Sequence, residues 1–158
     1  MVIPDNRADI NNFMLNAVHP SDLHEYWELI QPELAYCLSQ EDTDVWPEDV
    51  YACIKSGEAT LYLERVNSVY HGMVVVTVHL DPWSKEKSLH IWLARSRNGC
   101  KGLGNLALEE LNKIACTIGA KSLTLRTSNE AVKTWSKQRQ FEVSYVELSR
   151  KVSTNGSE

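Results

Sequence analysis

Residues 99–105 read Gly-Cys-Lys-Gly-Leu-Gly-Asn and lie between an alternating apolar stretch and a helical one. That placement suits an anion. Gly102 and Gly104 allow a tight turn and let a ligand reach the backbone with no Cβ in the way. A helix beginning near Leu103 presents free N–H groups and a partial positive charge, which favour a pyrophosphate, and Lys101 adds a cation at that end. The chemistry is the capture of a phosphate-bearing ligand against a strand end. His90 lies upstream on the strand, and neutral imidazole serves as a general base near pH 7; its alternative is a histidine packed under a hairpin. Cys100 sits inside the turn, but no histidine partner is visible in the sequence, so no covalent role is expected of it.

The surrounding elements must present this turn. Leu89, Ile91 and Leu93 alternate with His90 and Trp92, the pattern of a strand with one apolar face. Leu106, Leu108, Leu111, Ile114, Ala115 and Ile118 recur at about helical spacing. Upstream, residues 13–18 form a first strand, and His19-Pro20-Ser21-Asp22 opens a helix with Leu23, Trp27 and Ile30 on one face. Pro32 is expected to end or kink that helix. A second helix starts at Trp46-Pro47-Glu48-Asp49, buries Val50, Cys53 and Ile54, and stops at Gly57. Residues 58–66 and 69–80 form a hairpin turning near Asn67-Ser68, and Gly72 marks a bulge or a close approach. Residues 121–127 form a strand parallel to the central one, a helix follows, and residues 141–152 supply a closing strand.

The composition narrows the class. The chain has 158 residues, 43% hydrophobic and 23% charged, with a net charge of −5. This suits one globular domain over residues 1–152, with 153–158 a frayed tail. No basic cluster tracks a phosphate backbone, so no nucleic acid is expected. No apolar run approaches a membrane span, and the N-terminus lacks the basic and apolar regions of a signal peptide. Cys37, Cys53, Cys100 and Cys116 are widely separated and read as free thiols of a reducing compartment. The five histidines also lack paired-ligand spacing, so no metal is expected.

Two known patterns use strand, glycine turn and helix. Residues 102–107 fit the dinucleotide pattern G-x-G-x-x-A, which requires an acid at the end of the next strand; residues 121–126 contain none. The better match is the GNAT superfamily of acyl-CoA-dependent N-acyltransferases. Residues 94–104 resemble its acyl-CoA loop, Q/R-x-x-G-x-G/A, with Gly102 and Gly104 in register and Gly99 where Arg or Gln is usual. Residues 129–141 resemble its N-x-x-A-x-x-x-Y-x-x-x-G-F segment: Asn129 and Phe141 fit, while Val132, Ser136 and Gln140 replace the usual Ala, Tyr and Gly. The order of elements over residues 12–150 matches as well.

The resemblance implies a mixed α/β (α+β) GNAT fold. Its central sheet is mostly antiparallel, strands 4 and 5 are parallel and splayed, and helices cover both faces. It implies acetyl transfer from acetyl-CoA, used as a co-substrate, to an amine of a small molecule or a protein. Acetyl-CoA would be held by backbone groups at Leu93 and Ala94 and by residues Gly99, Cys100, Lys101, Gly102, Gly104 and Asn105, with Asn129 and Trp135 beside it. His90 would be the base, and Ser136 stands where the family keeps its tyrosine acid. The acidic stretch Glu41-Asp42-Thr43-Asp44 is either a solvated loop or a surface that draws in a cationic acceptor. The expected compartment is the cytoplasm, including that of an infected host cell. The alternative is a catalytically inactive GNAT-like binding or assembly protein, such as a phage morphogenesis factor. It is motivated by Gly99, Ser136 and the short last strand, and by Trp46, Trp83 and Trp92 as interface aromatics.

Overall fold

The structure, a computed structural model, describes residues 12–41, 43–96, 103–127 and 130–152. The chain divides into two compact units, Met1–Arg126 and Thr127–Glu158.

The larger unit is built on a five-stranded sheet in the order β1-β2-β3-β4-β5. β1 (Phe13–Ala17), β2 (Thr60–Val66), β3 (Val69–Leu80) and β4 (Lys87–Ser96) pair antiparallel in turn, and β5 (Ser122–Leu125) runs parallel to β4. Asn67 and Ser68, with φ of 51° and 67°, make the tight turn between β2 and β3, as right-handed strand twist favours. Asp81 Oδ1 accepts the N–H groups of Trp83 and Ser84, both at 2.8 Å, and shapes the turn between β3 and β4.

Helices cover both faces of this sheet. A 3-10 turn, Pro20–Asp22, leads into α1 (Leu23–Ser39), and α2 (Pro47–Ser56) follows. The side chain of Asp49 accepts the N–H of Trp46 at 2.8 Å at the start of α2, and Gly57 closes it at φ 86°. Leu23, Ile30, Leu34, Leu38, Val50 and Ile54 from these helices pack with Leu61, Leu63, Met73, Val75 and Leu93 of the sheet. On the other face, α3 (Leu103–Thr117) lays Leu111 and Ala115 on Val74, Val76 and Leu89.

Pro32 does not end α1, although an end is one of the two outcomes expected of it: the helix runs through it to Ser39. Ile30, Leu34 and Leu38 lie four residues apart on one buried stripe, and Pro32 faces solvent. Burial of that stripe outweighs the one backbone hydrogen bond that proline removes.

Gly72 is where three strands approach closely. A Cβ built there would lie 2.4 Å from the carbonyl oxygen of Arg95 and 2.9 Å from Glu64 Oε2. Its row, Glu64–Gly72–Ser96, contains a carboxyl that is only 1% exposed and accepts the Ser96 hydroxyl at 2.7 Å. Burial raises that carboxyl from an ordinary 4.5 to about 7.

The smaller unit carries α4 (Glu130–Lys137). Residues 141–152 form no strand there, which corrects the expectation of a closing strand. Val143, Tyr145, Val146, Leu148 and Val152 are all exposed, so the alternation that reads as a strand has no second strand to bond with among the described residues.

Gly72→Ala is expected to lower stability by about 1–3 kcal/mol, the usual cost of overpacking, measured by urea unfolding; an unchanged midpoint would refute the close approach. Glu64 also sets a pH dependence. The folded chain keeps this carboxyl protonated up to about 7, whereas the unfolded chain ionises it near its ordinary value. The unfolded state therefore gains as pH rises across that window. In melts between pH 5 and pH 8, the stability of Glu64→Gln relative to the parent is expected to grow as pH rises.

Candidate functional site

The site begins where β4 parts from β5. Their pairing runs from Ser88↔Ser122 to Ile91↔Leu125, but β4 continues to Ser96. At the same point the register with β3 slips: Val76 faces Ile91 and Val75 faces Leu93, which leaves Trp92 as the extra residue of a bulge. The bulge turns the strand over. Leu89 and Ile91 belong to the core under α3, and Leu93 belongs to the core under α1 and α2. The single apolar face expected for Leu89, Ile91 and Leu93 is thus split between two faces. A simple alternation cannot reveal a bulge, because the inserted residue is itself apolar.

The C-terminal half of α1 lies over the free part of β4. Glu33, Tyr36 and Cys37 share one helical face, as their spacing requires. Glu33 Oε2 pairs with Arg95 Nη1 at 3.0 Å, and the Arg95 guanidinium lies 3.7 Å from the centre of the Tyr36 ring. Cys37 Sγ donates to the Ala94 carbonyl at 3.6 Å, and burial pushes its thiol up to about 11. A thiol so raised stays protonated and is a poor nucleophile at neutral pH.

His90 lies at the fork, half-buried, with a row of polar groups from β3 to β5. Thr77 is its partner on β3 and Thr124 its partner on β5. The His90 Nδ1 and Thr124 Oγ1 are 2.8 Å apart, and the His90 ring stacks on His79 with centroids 4.7 Å apart at 16°. His79 Nε2 bonds in turn with Thr77 Oγ1 at 3.0 Å. His90 is driven down from an ordinary 6.5 to about 4, by burial first and then by His79 and Arg126. It is an uncharged imidazole at any pH above that range. Thr77, His79, Thr124 and Arg126 were not picked out from sequence; the signal available was the even spacing of Thr77 and His79 on one strand face.

The structure joins His90, Leu93 and Ala94 on one strand, and Gly104 and Asn105 open α3 beyond it. Gly99, Cys100, Lys101, Gly102 and Asn129 lie outside the described residues. Ser136 and Trp135 are on α4 in the smaller unit. Ser136 is 6% exposed, and its Oγ has no hydrogen-bond partner among the described residues. Trp135 packs within its own unit, with Arg139 4.4 Å from its ring centre and Phe141 at 6.4 Å. Gln140, at the motif's glycine position, has φ 67°, the left-handed conformation that glycine adopts freely. Trp46 and Trp83 are exposed, at 69% and 91%, and Trp92 is half-buried.

A cavity of about 480 Å³ lies elsewhere, against the α3 side of the sheet, lined by residues including Tyr62, Val76, Leu89, Ile114 and Ile118. It contains none of the residues nominated from sequence. Among the described residues no cluster of three or more His, Cys, Asp or Glu is placed to hold a metal, and no helix is long and apolar enough to cross a membrane.

By sequence alone, no family model and no curated protein matches this chain. Solved structures do. An aminoglycoside acetyltransferase from an uncultured soil metagenomic sample, in complex with sisomicin, superposes with a TM-score of 0.68 at 11% identity, over 90% of this chain and 98% of that one. A ribosomal-protein-alanine N-acetyltransferase from Brucella melitensis biovar Abortus 2308 gives 0.67 at 15% identity, over 89% and 99%. A GNAT family acetyltransferase from Staphylococcus aureus gives 0.62 at 12% identity, over 89% and 99%.

Gln140→Gly is expected to raise stability by about 1 kcal/mol by removing the left-handed penalty. Equilibrium unfolding checks it, and a loss of stability would place some other demand on that side chain.

Proposed function

The chain has the fold of the GNAT acetyltransferases, and on that premise we propose that it is an acyl-CoA-dependent N-acyltransferase that moves an acetyl group from acetyl-CoA to an amine. The observation that carries this reading is the fork: β4 bulges at Trp92 and runs on to Ser96 without β5, ahead of α3 in the chain.

The residues present fit such a substrate. Past Ile91 the backbone of β4 has no strand on its β5 side among the described residues, so its N–H and C=O groups would suit an extended, amide-bearing arm. Leu93 and Ala94 would hold that arm. Gly104 and Asn105, in the first turn of α3, would offer N–H groups to the pyrophosphate, with Gly99, Cys100, Lys101 and Gly102 supplying the turn before them. Acetyl-CoA brings an activated thioester. In the tautomer whose Nδ1–H donates to Thr124 Oγ1, His90 would have Nε2 to accept the proton that the attacking amine must lose. Ser136 and Trp135 belong to the second motif, and their part in the reaction rests on the resemblance alone.

The second reading is a GNAT-like binding or assembly protein without catalysis. Ser136 favours it: a buried hydroxyl stands where the family keeps a tyrosine acid.

Calorimetric titration of acetyl-CoA into the purified chain decides first, with Gly102→Glu as control. Micromolar binding that the added side chain and charge abolish is the expected result. No binding by the parent protein would overturn the acyltransferase reading and leave the binding module.

A further inference from the structure

The row Glu64–Gly72–Ser96 lies at the root of the glycine turn. Ser96 is the last residue of β4, and Gly99 follows it by three positions. Three residues span at most about 11 Å, so whatever fixes Ser96 bounds where the turn begins.

Ser96 is held by a bond that crosses the whole width of β3. Its hydroxyl donates to Glu64 Oε2 at 2.7 Å, with Gly72 between them in the row. A Cβ at Gly72 would lie 2.8 Å from Ser96 Cα and 2.9 Å from Glu64 Oε2. The carboxyl and the Ser96 backbone thus share the space that any other residue at position 72 would fill. Glu64 is 1% exposed, so water does not compete for the bond. Past Ile91, β4 pairs with β3 alone among the described residues. Its end is then pinned once on each face, by Arg95 to Glu33 and by Ser96 to Glu64.

The carboxyl has no countercharge beside it among the described residues. It shares the α3 face with Tyr62 and with Leu15, its partner on β1. Arg65, next on β2, is turned away: its guanidinium bonds Asn16 Oδ1 at 3.3 Å and lies 5.9 Å from the centre of the Tyr26 ring. Arg95 on β4 faces Glu33, and on α3 Glu110 and Lys113 pair with each other at 2.9 Å. His71, beside Gly72 on β3, is not among the groups that shift the carboxyl.

We propose that Glu64 and Ser96 are positioning residues for acetyl-CoA: the bond between them, over Gly72, sets the point at which the glycine turn leaves β4, and it does so with the carboxyl uncharged. This rests on the acyltransferase reading above.

A turn that must aim several N–H groups at a pyrophosphate binds best when its root is already fixed, because ordering that root on binding costs affinity. A charge on Glu64 would act differently. It would place a buried, weakly screened negative charge at the root of an anion site and oppose the ligand directly. Burial keeps that charge from forming until about pH 7, so the opposition belongs to the alkaline side.

Calorimetric titration of acetyl-CoA tests this on the full chain and on Ser96→Ala, Glu64→Leu and Glu64→Gln, at pH 6 and pH 8, each well below its own melting temperature. At pH 6, Ser96→Ala and Glu64→Leu are expected to bind about tenfold more weakly than the parent. Glu64→Gln keeps an acceptor for the Ser96 hydroxyl and is expected within about threefold of the parent. Between pH 6 and pH 8 the parent should lose about threefold or more in affinity relative to Glu64→Gln, which has no charge to gain. A bond that only stabilises the fold would shift the melts and leave that ratio at one. Parent-like affinity in Ser96→Ala overturns the positioning role, and this small truncation keeps the test decisive if Glu64→Leu does not fold. A ratio unchanged between the two pH values overturns the need for an uncharged carboxyl. If the parent itself does not bind acetyl-CoA, the acyltransferase reading falls and this assignment with it. Equal binding by the parent and all three variants overturns the assignment alone.

Discussion

One constraint organises the larger unit: β4 must pair with β5 at one end and be free of it at the other. The bulge at Trp92 meets that demand. It adds a residue to β4 opposite an unbroken β3, increases local twist and rotates the following side chains to the opposite face. Leu93 then enters the core under α1 and α2, and Arg95 meets Glu33 and Tyr36. Without the extra residue, Leu93 would point under α3 with Leu89 and Ile91, and Arg95 would leave its partner. The opening between the strands and the clamp of α1 on β4 thus share a single cause.

The two faces of the sheet carry different electrostatics. On the α1 side, charge is paired at short range, and His90 is kept neutral among threonines, an imidazole and an arginine. On the other side, Glu64 lies next to Gly72 and Ser96, and burial raises its carboxyl to about 7. Each solution removes a charge from a poorly solvated place. They differ in direction, since burial weakens the base and weakens the acid alike. The uncharged forms of both groups overlap between about 4 and about 7.

Much of the fold was legible because local rules agreed with tertiary ones. β3 was read to its ends, and Asn67-Ser68 gave the hairpin turn. Gly57 gave the stop of α2, and Leu103 gave the start of α3. The failures came where a long-range term overruled a local one. Pro32 argued for a break, but the stripe of Ile30, Leu34 and Leu38 kept the helix whole. Residues 141–152 alternate like a strand, but a strand needs a bonding partner that sequence cannot supply. Of the candidate residues, His90, Leu93 and Ala94 could be grouped from sequence because they lie on one strand. The polar row of Thr77, His79 and Thr124 could not, because it is assembled by register across three strands.

The departures from the family's second motif separate geometry from chemistry. Gln140 replaces glycine and still takes the left-handed backbone conformation, so the turn after α4 is required by the path of the chain and is met at some cost. Ser136 replaces tyrosine and keeps neither its length nor its acidity, and its hydroxyl is buried. A shape is retained where a group is lost. The same holds between this chain and its structural neighbours, whose backbones superpose at 11–15% identity. Among the described residues, the polar side chains in contact at the fork are His90, Thr124, His79 and Thr77.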